Sequence, residues 1–132
     1  MHMKNESMSR KRSIASMISA LPAQAFVYDA GRRHPSERAA REACFQQLVA
    51  DAAATDATSL LIERDETLVA SDRRYLYEAT RQTHREGPLR YDHGAASEEC
   101  LLALPDAVAW CWAKGGDWRR RIDSVVARVC DV

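Results

Sequence analysis

The chain has 132 residues, of which 46% are hydrophobic and 29% are charged, and its 19 basic residues balance its 19 acidic ones. This length and composition favour one globular domain over residues 1–132 and exclude wholesale disorder or a small disulfide-stapled scaffold. Zero net charge argues against a protein that mainly coats DNA or anionic lipid non-specifically. No apolar run is long enough to span a membrane and the start lacks a signal-peptide pattern, so the sequence predicts a cytoplasmic protein.

The first half of the chain predicts a helix, a strand and a second helix. A first helix over residues 7–21 is indicated by apolar residues at helical spacing, namely Ile14, Met17, Ile18 and Leu21. Residues 24–29 are aromatic and β-branched, which favours a strand. Ser36 is a candidate N-cap for the second helix, which ends at Thr55 and Asp56. The apolar face of that helix consists of Cys44, Phe45, Leu48 and Ala52.

The middle of the chain predicts two further strands around a third helix. A compact apolar run at residues 60–62 indicates a buried second strand, which emerges into an acidic turn at residues 63–66. The third helix is predicted to begin near Ser71 and to bury Leu76 and Ala79. Gly87-Pro88 then breaks the chain before a short third strand at residues 89–93.

The last third of the chain predicts two helices. Residues 101–112 are almost continuously apolar, which indicates a buried helix that Gly115 and Gly116 end. A final amphipathic helix is indicated by Trp118, Ile122, Val125, Val126 and Val129. This order predicts an α/β fold with a small, mainly parallel sheet of about three strands and four to five flanking helices. So small a sheet leaves outer edges unpaired, which predicts dimerisation or a covering element.

Acidic residues follow the predicted strands, where open α/β sheets place their ligands. Glu63 and Asp65 close the second strand, Asp92 closes the third, and Asp106 lies in the first turn of the buried helix. Converging carboxylates suit Mg²⁺ or Mn²⁺, which activates water and stabilises a leaving phosphate oxygen. The pattern therefore predicts Glu63, Asp65 and Asp106 as metal ligands and catalytic residues, with Asp92 as an auxiliary catalytic carboxylate. The same residues also fit solvated turns and, for Asp106, helix N-terminal capping.

Three other patterns each have two interpretations. Trp110 and Trp112 fit either a packed core or a platform for stacking nucleic-acid bases. The arginine run at residues 119–121 fits either a solvated helix face or phosphate contacts. His93, beside Asp92, fits either an ordinary strand-end histidine or a proton shuttle. A helix-turn-helix built from the last two helices is a further alternative.

Short segments in a fixed order resemble an uncharacterised bacterial family of ribonuclease-H-like proteins. The matching segments are His-Met-Lys-Asn-Glu-Ser at residues 2–7, Leu-Leu-Ile-Glu-Arg-Asp at 60–65, Leu-Pro-Asp-Ala-Val-Ala-Trp at 104–110 and the run at 112–121. The resemblance implies a ribonuclease-H-like fold, with Glu63 or Asp65 and Asp106 at two acidic positions that hold divalent metal. Members typically open with an Asp-Glu-Ser strand. That strand is absent here, so the resemblance also implies a chain that is truncated at its N-terminus.

Two functional hypotheses follow from the sequence. The leading one is a metal-dependent, nuclease-like domain that acts on nucleic-acid phosphodiesters and is inactive or weakened alone, because a first-strand carboxylate is missing from the ligand set. The alternative is a non-catalytic interaction module that associates through an exposed sheet edge. Its partner would be a second copy of the chain or a complementary fragment that adds a strand.

Overall fold

The computed structural model describes residues 1–55, 57, 59–83 and 89–132. In these ranges the chain is α/β, as predicted, with five α-helices and four strands. In chain order they are α1 (Met8–Ser19), β1 (Ala25–Asp29), α2 (Glu37–Ala53), β2 (Ser59–Glu63), α3 (Val69–Gln82), β3 (Arg90–Gly94), α4 (Ala103–Lys114), α5 (Gly116–Arg121) and β4 (Val126–Asp131). The predicted helix end at Asp56 and the predicted break at Gly87-Pro88 lie outside the described residues.

Local capping chemistry sets several helix ends. The Ser7 side chain accepts a hydrogen bond from the Arg10 N–H, and the Ser36 side chain accepts one from the Ala39 N–H. Each bond satisfies an N–H that the first helical turn leaves without a partner. At the C-terminal end of α4, Gly115 has a φ of 72°, a left-handed conformation that glycine adopts without steric strain. The predicted starts of α1 and α2 and the predicted end of α4 are therefore confirmed.

The predicted final helix is wrong beyond Arg121. Helix α5 ends there, a short 3-10 turn covers Asp123–Val125, and residues 126–131 form strand β4. The valines at 125, 126 and 129 fall at helical spacing, but β-branched side chains also pack well on a pleated strand. Pairing with β1 decides between these conformations, and spacing within the segment carries no information about that distant partner.

The described strands pair as two separate two-stranded sheets, β1 with β4 and β2 with β3. The expected single sheet of about three strands is therefore wrong for this part of the chain. Strands β2 and β3 are parallel, with Leu61 opposite Asp92 and Glu63 opposite Gly94. Alternation along the strands sends Leu60, Ile62 and Tyr91 towards the core formed with α2 and α3. The opposite face is open, and Leu61 on it is 44% exposed.

The chain forms two compact units. Unit 1 comprises Met1–Val27 and Ala95–Val129, and unit 2 comprises Tyr28–Gly94 and Cys130–Val132. The core of unit 1 includes Met3, Ile14, Ile18, Ala107, Cys111 and Ile122. The core of unit 2 includes Phe45, Val49, Tyr75, Leu76 and Leu89. Each unit thus buries its own apolar cluster, and one domain over residues 1–132 stays a prediction.

Candidate functional site

Asp106, one of the three predicted metal ligands, has a structural partner within unit 1. It lies in the first turn of α4 in unit 1, and its Oδ2 accepts a hydrogen bond of 2.8 Å from the Met3 N–H. Met3 is fully buried in the core of the same unit. The carboxylate thus holds the short 3-10 segment Met3–Asn5 against the start of α4. This bond serves a backbone N–H outside the helix, whereas capping would satisfy one of the helix's own.

Replacing Asp106 with alanine is expected to lower the free energy of unfolding by about 1–3 kcal/mol, because the backbone N–H of the buried Met3 loses a charged acceptor. Asp106→Asn retains an acceptor oxygen and should lose less stability. Urea denaturation followed by circular dichroism compares the two variants with the natural chain. Equal stability for all three proteins would contradict an anchoring role for Asp106.

The other three predicted site residues lie in unit 2, near the carboxyl end of the parallel pair. Glu63 is the last residue of β2, and Asp92 is an exposed residue in the middle of β3. The register places Glu63 one diagonal step from Asp92 on the open face of the sheet, at about 8 Å between Cα atoms from ordinary strand spacings. The structure therefore brings Glu63 and Asp92 to one face, as the sequence hypothesis requires.

Asp65 shapes the turn between β2 and α3. Its Oδ1 accepts hydrogen bonds from the Thr67 hydroxyl at 2.7 Å and from the Thr67 N–H at 3.0 Å. Its backbone carbonyl accepts from the Leu68 and Val69 N–H groups, which begin the next helix. These two Thr67 donors hold the pKa of the exposed Asp65 carboxyl below its ordinary value. Asp65 therefore matches the alternative of a solvated, turn-forming acid.

The predicted metal ligands do not form a metal centre in the described ranges. No group of three or more His, Cys, Asp or Glu side chains there has an arrangement able to hold a metal ion. Asp106 belongs to unit 1, whereas Glu63 and Asp65 belong to unit 2. One Asp106 oxygen and one Asp65 oxygen already accept protein donors. The described residues thus show no group that would hold the divalent ion of the sequence hypothesis, and that ion stays a prediction.

Sequence reasoning missed a buried carboxylate, Asp72, and the group around it, which we call the Asp72 cluster: Arg41 on α2, Asp72 on α3 and His93 on β3. Arg41 donates two hydrogen bonds to the Asp72 carboxylate, of 2.7 Å from Nε and 2.8 Å from Nη2. The His93 Nε2 lies 3.3 Å from Asp72 Oδ2. Asp72 is fully buried and the His93 side chain is 1% exposed.

The Asp72 cluster links three elements of unit 2 through a buried carboxylate whose oxygens are both occupied. The bidentate Arg41 contact and the His93 contact occupy both carboxylate oxygens, which compensates the loss of hydration around the buried charge. His93 lies inside the unit with Asp72 as its partner. Of the two interpretations of His93, this arrangement favours an ordinary strand-end histidine, because alternation along β3 places Asp92 on the opposite, open face.

The sequence did carry one signal for Asp72. On α3, Asp72 lies at helical spacing from Tyr75, Leu76 and Ala79, all of which are buried. A carboxylate inside an apolar helix face needs a charged or hydrogen-bonding partner, because an unpaired buried charge is strongly unfavourable. That argument predicts that a partner exists, but it does not identify Arg41 or His93.

The Asp72 cluster gives the stability of the chain a defined pH dependence. Burial raises the pKa of the Asp72 carboxyl, but the hydrogen bonds and charge of Arg41 and His93 lower it by more than burial raises it. The net pKa therefore lies below its ordinary value. The stabilisation is present above the unfolded-state pKa of about 3.9 and is lost as the pH falls through the lower folded-state value. Urea denaturation at a series of acidic pH values should show this loss.

The matched controls are Asp72→Asn, which removes the titrating group, and Asp123→Asn, which removes an exposed carboxylate. The difference in stability between the natural chain and Asp72→Asn should shrink as the pH falls. Asp123→Asn should keep the acid profile of the natural chain. A constant difference between the natural chain and Asp72→Asn across the acid range would contradict the assigned pKa direction.

Comparison with known proteins found no matching family model, no similar curated protein and no similar solved structure. The fold itself is that of a small α/β protein. In the described part of the chain, none of the helices combines the length and the apolar character needed to cross a bilayer.

Proposed function

We propose that this chain is an interaction module that pairs with a second copy of itself by strand addition at β3. The observation that carries the proposal is the sheet order: among the described residues, β3 has a single strand neighbour, β2. Parallel strands are ordinarily buried within larger sheets, and a two-stranded pair alone is only marginally stable. A further strand on the free edge of β3 completes the backbone hydrogen bonding.

The charges on β3 select a second copy as the partner. Two identical strands related by a two-fold axis pair in antiparallel fashion, and each contact then occurs twice. With Tyr91 on the axis, Arg90 of one copy lies opposite Asp92 of the other. Both residues are exposed on the open face. Opposite charges at facing positions of paired strands stabilise the pair, whereas like charges destabilise it.

Sedimentation velocity over a range of concentrations tests this pairing. Asp92→Arg places two arginines opposite each other at both symmetric positions, which should weaken dimerisation by about 10-fold to several hundred-fold. The double change Arg90→Asp/Asp92→Arg exchanges the charges and should restore the dimer. Asp123→Arg, an equal charge change at an exposed site in unit 1, should leave it intact.

Two outcomes would overturn the proposal. One is a natural chain that stays monomeric at every concentration, which would leave a complementary fragment or another protein as the partner. The other is a dimer that Asp92→Arg does not weaken, because the β3 edge would then not form the contact.

The ribonuclease-H-like fold and a metal-dependent, nuclease-like activity remain a second proposal. One observation favours them: Glu63 and Asp92 share the open face at the carboxyl end of a parallel pair, the usual ligand position in α/β sheets. Titration with Mg²⁺ or Mn²⁺ by calorimetry should give saturable binding that Glu63→Gln weakens. Asp106→Asn should be titrated in the same way, because it removes the charge of a proposed ligand and keeps an acceptor for the Met3 N–H. Absence of saturable binding by the natural chain would contradict this second proposal.

A further inference from the structure

Two tryptophans and several cations form a surface on unit 1 that neither the strand-addition proposal nor the carboxylate hypothesis uses. We call it the Trp110 surface and define it by Lys11, Trp110, Lys114, Trp118, Arg120 and Arg121. The Trp110 and Trp118 ring centroids lie 4.9 Å apart in an edge-to-face arrangement with an interplanar angle of 84°. Both indoles pack on the core of unit 1 while remaining partly exposed, so their positions are fixed by packing.

Cations lie over the ring faces of this pair. The Lys11 Nζ is 4.6 Å and the Lys114 Nζ 5.7 Å from the Trp110 centroid, and the Arg121 guanidinium is 5.4 Å from the Trp118 centroid. Such cation–π contacts are weak at exposed sites, on the order of 0.5–1 kcal/mol. The ammonium groups can therefore leave the ring face for a stronger anionic partner with little loss of free energy.

The Trp110 surface has an excess of positive charge although the chain as a whole is neutral. Its Arg120 and Arg121 share a single carboxylate, Asp117, at 3.5 Å and 2.8 Å. Within the described residues, neither Lys11 nor Lys114 is in an ion pair with a carboxylate. Lys11, Lys114 and Arg121 thus lie over the two rings, Arg120 adjoins them through Asp117, and Asp117 is the one acid paired with these four cations.

The neighbouring Arg119 belongs to a different arrangement. Its guanidinium stacks on Trp112 at 3.8 Å and donates two hydrogen bonds to the Trp112 carbonyl. It therefore satisfies a carbonyl near the C-terminal end of α4 and covers the ring of Trp112. Arg119 thus already occupies the ring of Trp112, whereas the cations over Trp110 are the lysines Lys11 and Lys114.

We propose that the Trp110 surface binds single-stranded nucleic acid, with a base stacked on Trp110 and the adjacent phosphates paired with Lys11, Lys114 and Arg120. Single strands expose both a flat base and a phosphate, and proteins bind them with aromatic platforms inside basic grooves. When a base takes the face of Trp110, the displaced Lys11 ammonium moves to the phosphate. Duplex DNA keeps its bases stacked inside the helix and supplies only the phosphate half of this recognition.

Fluorescence anisotropy with a labelled oligothymidylate of about 15 nucleotides tests this surface, using the full chain at low salt. The expected dissociation constant is on the order of 1–100 µM, typical of binding dominated by phosphate contacts. Binding should quench indole fluorescence. An abasic oligomer of the same length, which keeps the phosphates and lacks the bases, should bind at least about fivefold more weakly, because it removes the stacked base.

The matched variants separate this surface from general electrostatics. The triple change Lys11→Gln/Lys114→Gln/Arg120→Gln should weaken oligothymidylate binding about 10-fold or more and reduce the slope of log affinity against log salt by about 2. The control Arg32→Gln/Arg38→Gln/Arg73→Gln removes three exposed cations from unit 2, so its net charge changes by the same amount as that of the first triple variant. It should leave affinity within about twofold of the natural chain if local phosphate contacts dominate.

Several results would overturn the proposal. They are no anisotropy change up to the highest soluble concentration, equal losses in the two triple variants, and equal affinity for the abasic oligomer. Preference for vesicles of anionic phospholipid over oligothymidylate would also overturn it, since that would identify a membrane surface as the partner. Circular dichroism and urea denaturation of both triple variants establish that each retains its fold.

Discussion

Replacing Asp72 with alanine is expected to lower the free energy of unfolding by about 3–5 kcal/mol, the cost of breaking a buried ion pair by removing one partner. Asp72 is fully buried, and its carboxylate accepts two hydrogen bonds from Arg41 and lies 3.3 Å from His93 Nε2. The substitution therefore leaves a half-buried guanidinium and a buried imidazole without their common acceptor. Urea denaturation near neutral pH, followed by circular dichroism, measures the loss.

A double-mutant cycle separates the ion pair from simple loss of packing. Arg41→Met alone leaves the Asp72 carboxylate buried with only His93 beside it, so this variant should also be strongly destabilised. The double change Arg41→Met/Asp72→Leu removes both charges and keeps apolar volume. It should be more stable than the sum of the two single losses predicts, because neither an unpaired carboxylate nor an unpaired guanidinium remains buried. Additive losses, or a loss below about 1 kcal/mol for Asp72→Ala, would contradict a tightly coupled buried pair.

Local patterns were sufficient to predict most elements of the fold. The helix starts predicted at Ser7 and Ser36 both hold, and the Ser36 side chain accepts the N–H bond expected of an N-cap, as does that of Ser7. The apolar run at residues 60–62 and the short strand predicted at residues 89–93 correspond to β2 and β3, which pair in parallel as the predicted sheet requires. These features depend on residues within a few positions of one another, which is the range that a periodic pattern reports.

Strand pairing across the chain could not be predicted in the same way. The valines of residues 125–129 satisfy helical spacing and strand propensity equally well, and pairing with β1, about a hundred residues earlier, selects the strand. Once the final helix is replaced by β4, β1 has a neighbour that the expected sheet did not contain. The single three-stranded sheet fails for that reason.

The roles of acidic residues depend on which donors the fold brings to them, and sequence position does not report this. The place of Asp106 at a helix start predicts a metal ligand, and the structure gives it the Met3 N–H as a partner. Asp65 received the Thr67 donors. Asp72 is not among the predicted site residues, although its position among apolar residues requires a partner. A carboxylate on an apolar helix face thus predicts a buried partner, whereas a carboxylate at a strand end does not by itself predict which donors it meets.

Truncating one core residue in each unit is the second large expected effect. Leu76 in unit 2 and Ile122 in unit 1 are both fully buried. Leu76→Ala and Ile122→Ala should each lower the free energy of unfolding by about 2–5 kcal/mol, through lost apolar burial and the cavity that remains. Leu101→Ala makes the same side-chain deletion at a residue that is 70% exposed, and it should change stability by less than about 0.5 kcal/mol.

The same variants test whether residues 1–132 unfold as one domain, when thermal unfolding is followed by scanning calorimetry. One cooperative domain requires that Leu76→Ala and Ile122→Ala shift a single shared transition to lower temperature. Two transitions, one lowered by Leu76→Ala and the other by Ile122→Ala, would contradict the one-domain prediction and assign a separate stability to each unit. Because each unit buries its own apolar cluster, the distinction rests on measured cooperativity and not on the presence of a core.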